Sequence, residues 1–151
     1  MSVTIAVLQE VLAAEHAAVY GYGALGARLD GPLRREALAA FDHHRARRDR
    51  LRTMVADRGQ RPVESSASYV LPTALTGQAS AVRLAGELEE RCAVAFGVLI
   101  AAATGDERAF AARALQDSAI RAARWTGAAP RFPGLPPDVD PAASPSVRPT
   151  E

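Results

Sequence analysis

Apolar residues recur along this chain at helical spacing. Leu8, Glu15, Tyr22 and Leu29 stand seven residues apart, with Val11, Ala18 and Val19 beside them. That spacing predicts a helix from about residue 4 to residue 29, ended by "DGP" at 30–32. Pro32 suits the first turn of a second helix running to about Arg58. Gly59 then serves as its C-cap, and Pro62 forbids continuation. The next twenty residues, "GQRPVESSASYVLPTALTGQ", keep no period. A third helix is predicted from about Ser80 to "TG" at 104–105, and a fourth from an Asp106 cap to Thr126, stopped by Gly127. Residues 127–151 hold seven of the ten prolines and read as an extended tail.

The connections are short, long, short. Short links make the first and last helix pairs antiparallel hairpins. A helix of about 25 residues spans on the order of 38 Å. The middle connection must therefore return along the molecule to bring the third helix parallel to the second. The predicted fold is all-α: a four-helix bundle over residues 1–127, with one long central crossover from helix 2 to helix 3, which is the ferritin-like topology. A Pro-rich tail follows over 128–151. Its residues 128–136 are expected to dock through Phe132 and Leu135, and 137–151 to be disordered.

Polar side chains interrupt the apolar stripes near the midpoint of each helix. Glu15 and Tyr22 do so in the first. In the second, Ala37, Phe41, Leu51 and Val55 set the stripe, and His44 and Arg48 fall on it. In the third, Leu84, Leu88, Ala95 and Val98 mark the face, with Glu87 and Arg91 at its side and Glu90 as a second candidate for the inward carboxylate. In the fourth, Phe110 and Ala114 are followed by Asp117, Arg121 and Arg124. Any one of these could snorkel to water from a stripe edge. Four helices doing so at the same level point instead to a polar core, because buried charges must be compensated.

Two compensations are available. The first is an ion-pair network among Glu15, Tyr22, His44, Arg48, Glu87, Glu90, Arg91, Asp117, Arg121 and Arg124. The second is a metal site, with Glu15, His44, Glu87 and Asp117 as ligands for iron or manganese. A di-metal carboxylate centre takes a Glu from each of two helices and Glu-x-x-His from each of the other two. Three residues before His44 stands Phe41, and the fourth helix has no His. Guanidinium groups stay protonated and repel cations. The ion-pair reading is therefore preferred, with no metal or cofactor expected.

Composition sharpens this picture in a few places. All 18 basic residues other than His are Arg, and the formal net charge is +1. The Arg-rich stretch "HHRARRDRLR" (43–52) scatters its charges around the helix, so nucleic acid is not the expected partner. The single cysteine, Cys92, cannot form an internal disulfide, suits a reducing cytoplasm, and reads as a small buried hydrophobe. The N-terminal stretch lacks the basic region of a secretory signal, and no apolar run reaches membrane-spanning length. "CAVAFGVLIAAA" (92–103) is apolar on nearly all sides. Phe96 and Ile100 lie opposite the expected core stripe, so a second copy of the chain, as a homodimer, or the tail is expected to cover them.

Five blocks carry a resemblance: "AAEHAAVYGYG" (13–23), "HRARRDRL" (44–51), "LAGELEERCAVAF" (84–96), "AIRAARW" (119–125) and "FPGLP" (132–136). In this order they resemble an uncharacterised ferritin-like bacterial family, domain of unknown function 4439. The resemblance implies a ferritin-like bundle without an established activity. Its signature positions would be Glu15, His16, Tyr20, Tyr22, His44, Arg48, Glu87, Glu89, Glu90, Arg121, Arg124 and Trp125. Together these readings describe a non-enzymatic structural, binding or interaction module. The alternatives are a divergent metal-binding ferritin-like protein and an Arg-mediated nucleic-acid binder.

Overall fold

A computed structural model describes residues 3–129 and 133–135. Its elements are four helices: α1 (Val3–Gly26), α2 (Gly31–Ala56), α3 (Gln78–Ala102) and α4 (Gly105–Thr126). No strand occurs among the described residues. α1 packs against α2 and α3, and α3 packs against α4. Two apolar clusters close the ends of the bundle. One joins Leu8, Val11 and Leu12 of α1 to Leu51 and Val55 of α2, Phe96 and Leu99 of α3, and Phe110 and Ala111 of α4. The other joins Tyr22 and Leu25 to Ala37 and Ala40, to Ala81, Leu84 and Leu88, and to Trp125. The order in which each helix visits the clusters fixes its direction: α2 and α3 run parallel to each other and antiparallel to α1 and α4. Both clusters pack large apolar side chains against alanines and remove them from water, the main favourable term in folding.

The helix boundaries differ slightly from the sequence expectation. α1 stops at Gly26 rather than Leu29, because Arg28 and Leu29 turn back onto the Leu25 and Gly26 carbonyls. α4 starts from a Thr104 cap, which leaves Asp106 and Glu107 in its first turn, where they favour the helix dipole. Gly127 closes it with a left-handed φ of 74°.

The segment between α2 and α3 climbs the outer side of α1. The Gln9 side chain holds the backbone at Arg61 and Val63, at 2.7 and 2.8 Å. His16 donates from Nε2 to the Val63 carbonyl at 3.0 Å, and Tyr69 packs on Tyr20. Further on, Thr73 donates to Glu87 and Leu71 and Leu75 join the second cluster. His16 is thus a clamp on the crossover, and Glu87 is occupied at the flank rather than in the core.

Two expectations for α3 change. Phe96 is fully buried in its own bundle, edge-on to Phe110, and Val98 is the exposed one at 48%. The core stripe of α3 is Leu84, Leu88, Cys92, Phe96 and Leu99. Phe96 is therefore not available to a second copy. Residues 133–135 do lie against the α3–α4 pair, but through Gly134 rather than Leu135, which stays 43% exposed. Phe132, Pro136 and 137–151 lie outside the described residues.

The approach of Gly134 to Gly97 is close: a Cβ on Gly97 would stand 2.7 Å from the Gly134 carbonyl oxygen. Alanine at a helix interior gains about 0.5–1 kcal/mol over glycine, while overpacking costs about 1–3 kcal/mol. Gly97→Ala is expected to lower stability by up to about 2 kcal/mol. Gly23→Ala, whose Cβ would meet only Phe41 at 3.8 Å, is expected to raise it. Paired thermal melts check both signs.

Candidate functional site

Between the two apolar clusters the bundle is crossed by a layer of polar side chains. α1 contributes Glu15 and Tyr22, α2 His44 and Arg47, α3 Glu89, and α4 Ser118. All six are buried, and Glu15, His44, Glu89 and Ser118 have no exposed surface. They sit on the stripes of helices that bury large side chains above and below, so the packing of the two clusters holds them out of water.

His44 is the centre. Its Nδ1 lies 2.6 Å from Glu15 Oε2, and its Nε2 lies 3.1 Å from Glu89 Oε1. A neutral imidazole has one N–H and would turn a lone pair toward one of these carboxylates. The imidazolium donates to both. Burial pushes the His44 pKa down, but the charge of Glu15 and hydrogen bonds with Cys92, Glu15 and Glu89 outweigh it. The result lies well above the ordinary 6.5. For Glu89 burial pushes the pKa up. Its hydrogen bond to His44, the charges of His44 and Arg121, and the Tyr22 hydroxyl bring it below the ordinary 4.5.

Tyr22, Trp125, Arg47 and Arg121 hold these three side chains in place. Tyr22 donates its hydroxyl to Glu89 Oε1 at 2.7 Å and accepts from Trp125 Nε1 at 3.0 Å. Its ring stacks on the His44 ring with centroids 5.2 Å apart. Burial and the Glu89 charge raise the Tyr22 pKa well above 10.0, so it stays a donor. Arg47 bonds Ser118 Oγ at 2.9 Å and Asp117 Oδ2 at 3.2 Å, and its Nη1 lies 3.9 Å from Glu15 Oε1. Arg121 Nη1 lies 4.0 Å from Glu89 Oε2. Glu15, Glu89 and Asp117 are thereby matched in charge by His44, Arg47 and Arg121.

Of the residues expected inward, Glu15, Tyr22, His44, Asp117 and Arg121 meet here. Asp117 does so from a half-exposed position at the rim. Five corrections follow from helix phase. Arg48 turns to the surface and bonds Asp49; Arg47, one position earlier, is the inward arginine. Glu87 bonds Thr73, and Glu90 and Arg91 are exposed; Glu89 is the inward carboxylate. Arg124 is exposed on the last turn of α4, while its neighbour Trp125 is buried. The alternative metal set of Glu15, His44, Glu87 and Asp117 is therefore not assembled. Cys92 comes to the site as well: one donor atom each from Glu15, His44 and Cys92 lie within 4.8 Å of one another.

Most arginines on the surface of α2 are paired. Arg45, Arg48, Arg52 and Arg58 each have a carboxylate within 4 Å, and Arg50 stacks over Phe110 at 4.4 Å. No helix among the described residues is long and apolar enough to cross a membrane.

The chain is similar to a conserved hypothetical protein of known crystal structure from Mycobacterium tuberculosis, at 35% identity and a TM-score of 0.79. The match covers 84% of this chain and 98% of that one. No curated protein matches it significantly. A family model matches residues 7–137, from within the first turns of α1 through the Gly134 contact, and the chain accordingly belongs to that family, Domain of unknown function (DUF4439).

Proposed function

We propose that this protein is a ferritin-like, non-catalytic helical module, structural or binding in its task, whose polar core is an ion-pair network standing where that fold carries a di-metal centre. One observation carries the reading: both nitrogens of the His44 ring are held by carboxylates, Glu15 and Glu89, with Arg47 and Arg121 beside the remaining oxygens. The di-metal donor set does not fit. A bundle-core di-metal centre needs two Glu-x-x-His pairs. Here Phe41 stands three residues before His44, and α4 offers Ser118 and Arg121 at the corresponding spacing. A guanidinium cannot ligate a cation and opposes one by its charge. Pairing of Arg45, Arg48 and Arg52 with nearby carboxylates within the Arg-rich stretch of α2 argues against nucleic acid as the partner, and the buried thiol suits a reducing, cytoplasmic setting.

The test is refolding of the chelator-treated protein with Fe(II), anaerobically, and with Mn(II), beside titration of the native protein. The expected result is no two-equivalent binding, no rise in melting temperature, and no acceleration of Fe(II) oxidation when air is admitted. Tight binding to the native state would raise the melting temperature by mass action. Two retained equivalents of iron would overturn the reading.

A further inference from the structure

We propose that Glu15, His44 and Cys92 form a site for one thiophilic divalent cation of the Zn(II) class. The three donor atoms come from three different helices and lie within 4.8 Å of one another, all in buried side chains. The second, independent observation is on Glu15: its Oε1 is buried without a hydrogen-bond partner, with only the Arg47 guanidinium 3.9 Å away, so this carboxylate keeps an oxygen that no hydrogen bond occupies. An imidazole nitrogen, a thiolate and a carboxylate oxygen are the donor types of zinc sites. Three protein ligands leave a fourth position open.

Charge balance favours binding by proton exchange. Without metal, His44 carries a proton on each nitrogen and Cys92 carries its thiol proton; burial lifts the thiol pKa to about 11. On binding, the Nδ1 proton of His44 and the Sγ proton of Cys92 leave, and one dication enters on Nδ1, Sγ and a Glu15 oxygen. No electron moves, and the net charge of the core is unchanged. Arg47 and Arg121, which oppose any added positive charge, therefore meet none. The Nε2–H of His44 remains on Glu89, which Tyr22 and Trp125 hold in turn. A carboxylate on the outer nitrogen orients the ring and raises its basicity as a ligand. The proposal leaves the exclusion of a di-metal centre in place, since a single ion on a thiolate is not a di-metal carboxylate centre; in the loaded protein, metal bonds replace the His44–Glu15 ion pair of the metal-free network.

The full chain, unfolded and refolded under reducing conditions with Co(II) or Zn(II), then dialysed, tests this. Refolding gives the ion access to a site that is closed in the native protein. The expected result is one retained equivalent, release of two protons per ion, and a thiolate-to-Co(II) charge-transfer band. Cys92→Ser should abolish the band and the retained metal. Glu89→Gln should weaken binding by about 10–100-fold, the usual effect of losing an outer-shell partner. Wild-type protein that retains neither metal, or retains Co(II) without the thiolate band, would overturn the proposal, whether or not the variants fold. Metal retained equally by Cys92→Ser would overturn it too. None of these outcomes bears on the di-metal test, which reads iron stoichiometry and oxidation.

Discussion

Glu15→Gln is expected to destabilise the protein by about 3–5 kcal/mol, although it preserves shape and volume. Glu15 is fully buried and accepts a 2.6 Å hydrogen bond from His44. An amide there leaves the imidazolium with one carboxylate instead of two, in a fully buried site. Arg47 loses its buried charge partner and keeps only Asp117 at the rim. Denaturant melts of a double-mutant cycle identify the partner. Coupling is expected between Glu15 and His44, more weakly with Arg47, and not with Arg48, which bonds Asp49 at the surface. Replacing Glu15 and His44 together by apolar residues should recover much of the loss, because such a core desolvates neither charge. A silent Glu15→Gln would show that the polar layer contributes nothing to folding.

The unequal legibility of this layer has a physical cause. Helix number, the long crossover and the inward Glu15, Tyr22 and His44 follow from strong apolar periodicity in α1 and the first half of α2. After His44 the stripe can step by three to Arg47 or by four to Arg48 and still reach Leu51. Both candidates are arginine, so hydrophobicity cannot choose between them. Arg47 was missed for that reason. In α3 one error carried another. The apolar run from Cys92 to Ala103 hides the phase of the helix, and its spacing sets Phe96 opposite the core. Glu89 stands seven residues before Phe96. Once Phe96 is inside, Glu89 must be inside too, and Glu87 and Glu90 fall to the flanks. The family resemblance had singled out Glu89, His16 and Trp125 where periodicity passed over them. Ser118 gave no signal, since a small hydroxyl is as common on a surface as in a core. Cys92 was rightly read as buried. Its approach to His44 depends on the phase of α3, so it became visible only with the fold.

The same layer makes stability depend on pH, and His44 sets the alkaline side. In chelator-treated protein its folded pKa lies well above the unfolded 6.5, so its stabilisation is complete below pH 6.5 and is lost as pH rises through the folded value. Glu89 acts in the opposite sense. Its folded pKa lies below 4.5, so its contribution is present above that pH and is lost as pH falls through the folded value. Cys92 and Tyr22 add alkaline losses only above their ordinary values of 9.0 and 10.0, where the unfolded chain ionises first. A decline that begins between pH 6.5 and 9.0 therefore belongs to His44. His44→Gln should produce at once what alkali produces gradually. It removes the cation between two fully buried carboxylates and should cost about 3–5 kcal/mol at pH 6. It should also flatten the stability profile between pH 6.5 and 9.0, whereas Glu89→Gln should reduce the acid loss. Urea midpoints across pH, with the His44 ring titration followed by NMR, check both limbs. A wild-type profile flat from pH 6 to 9, or an imidazole that titrates near 6.5, would remove the charged His44 from the centre of the network and leave Glu15 and Glu89 without their cation.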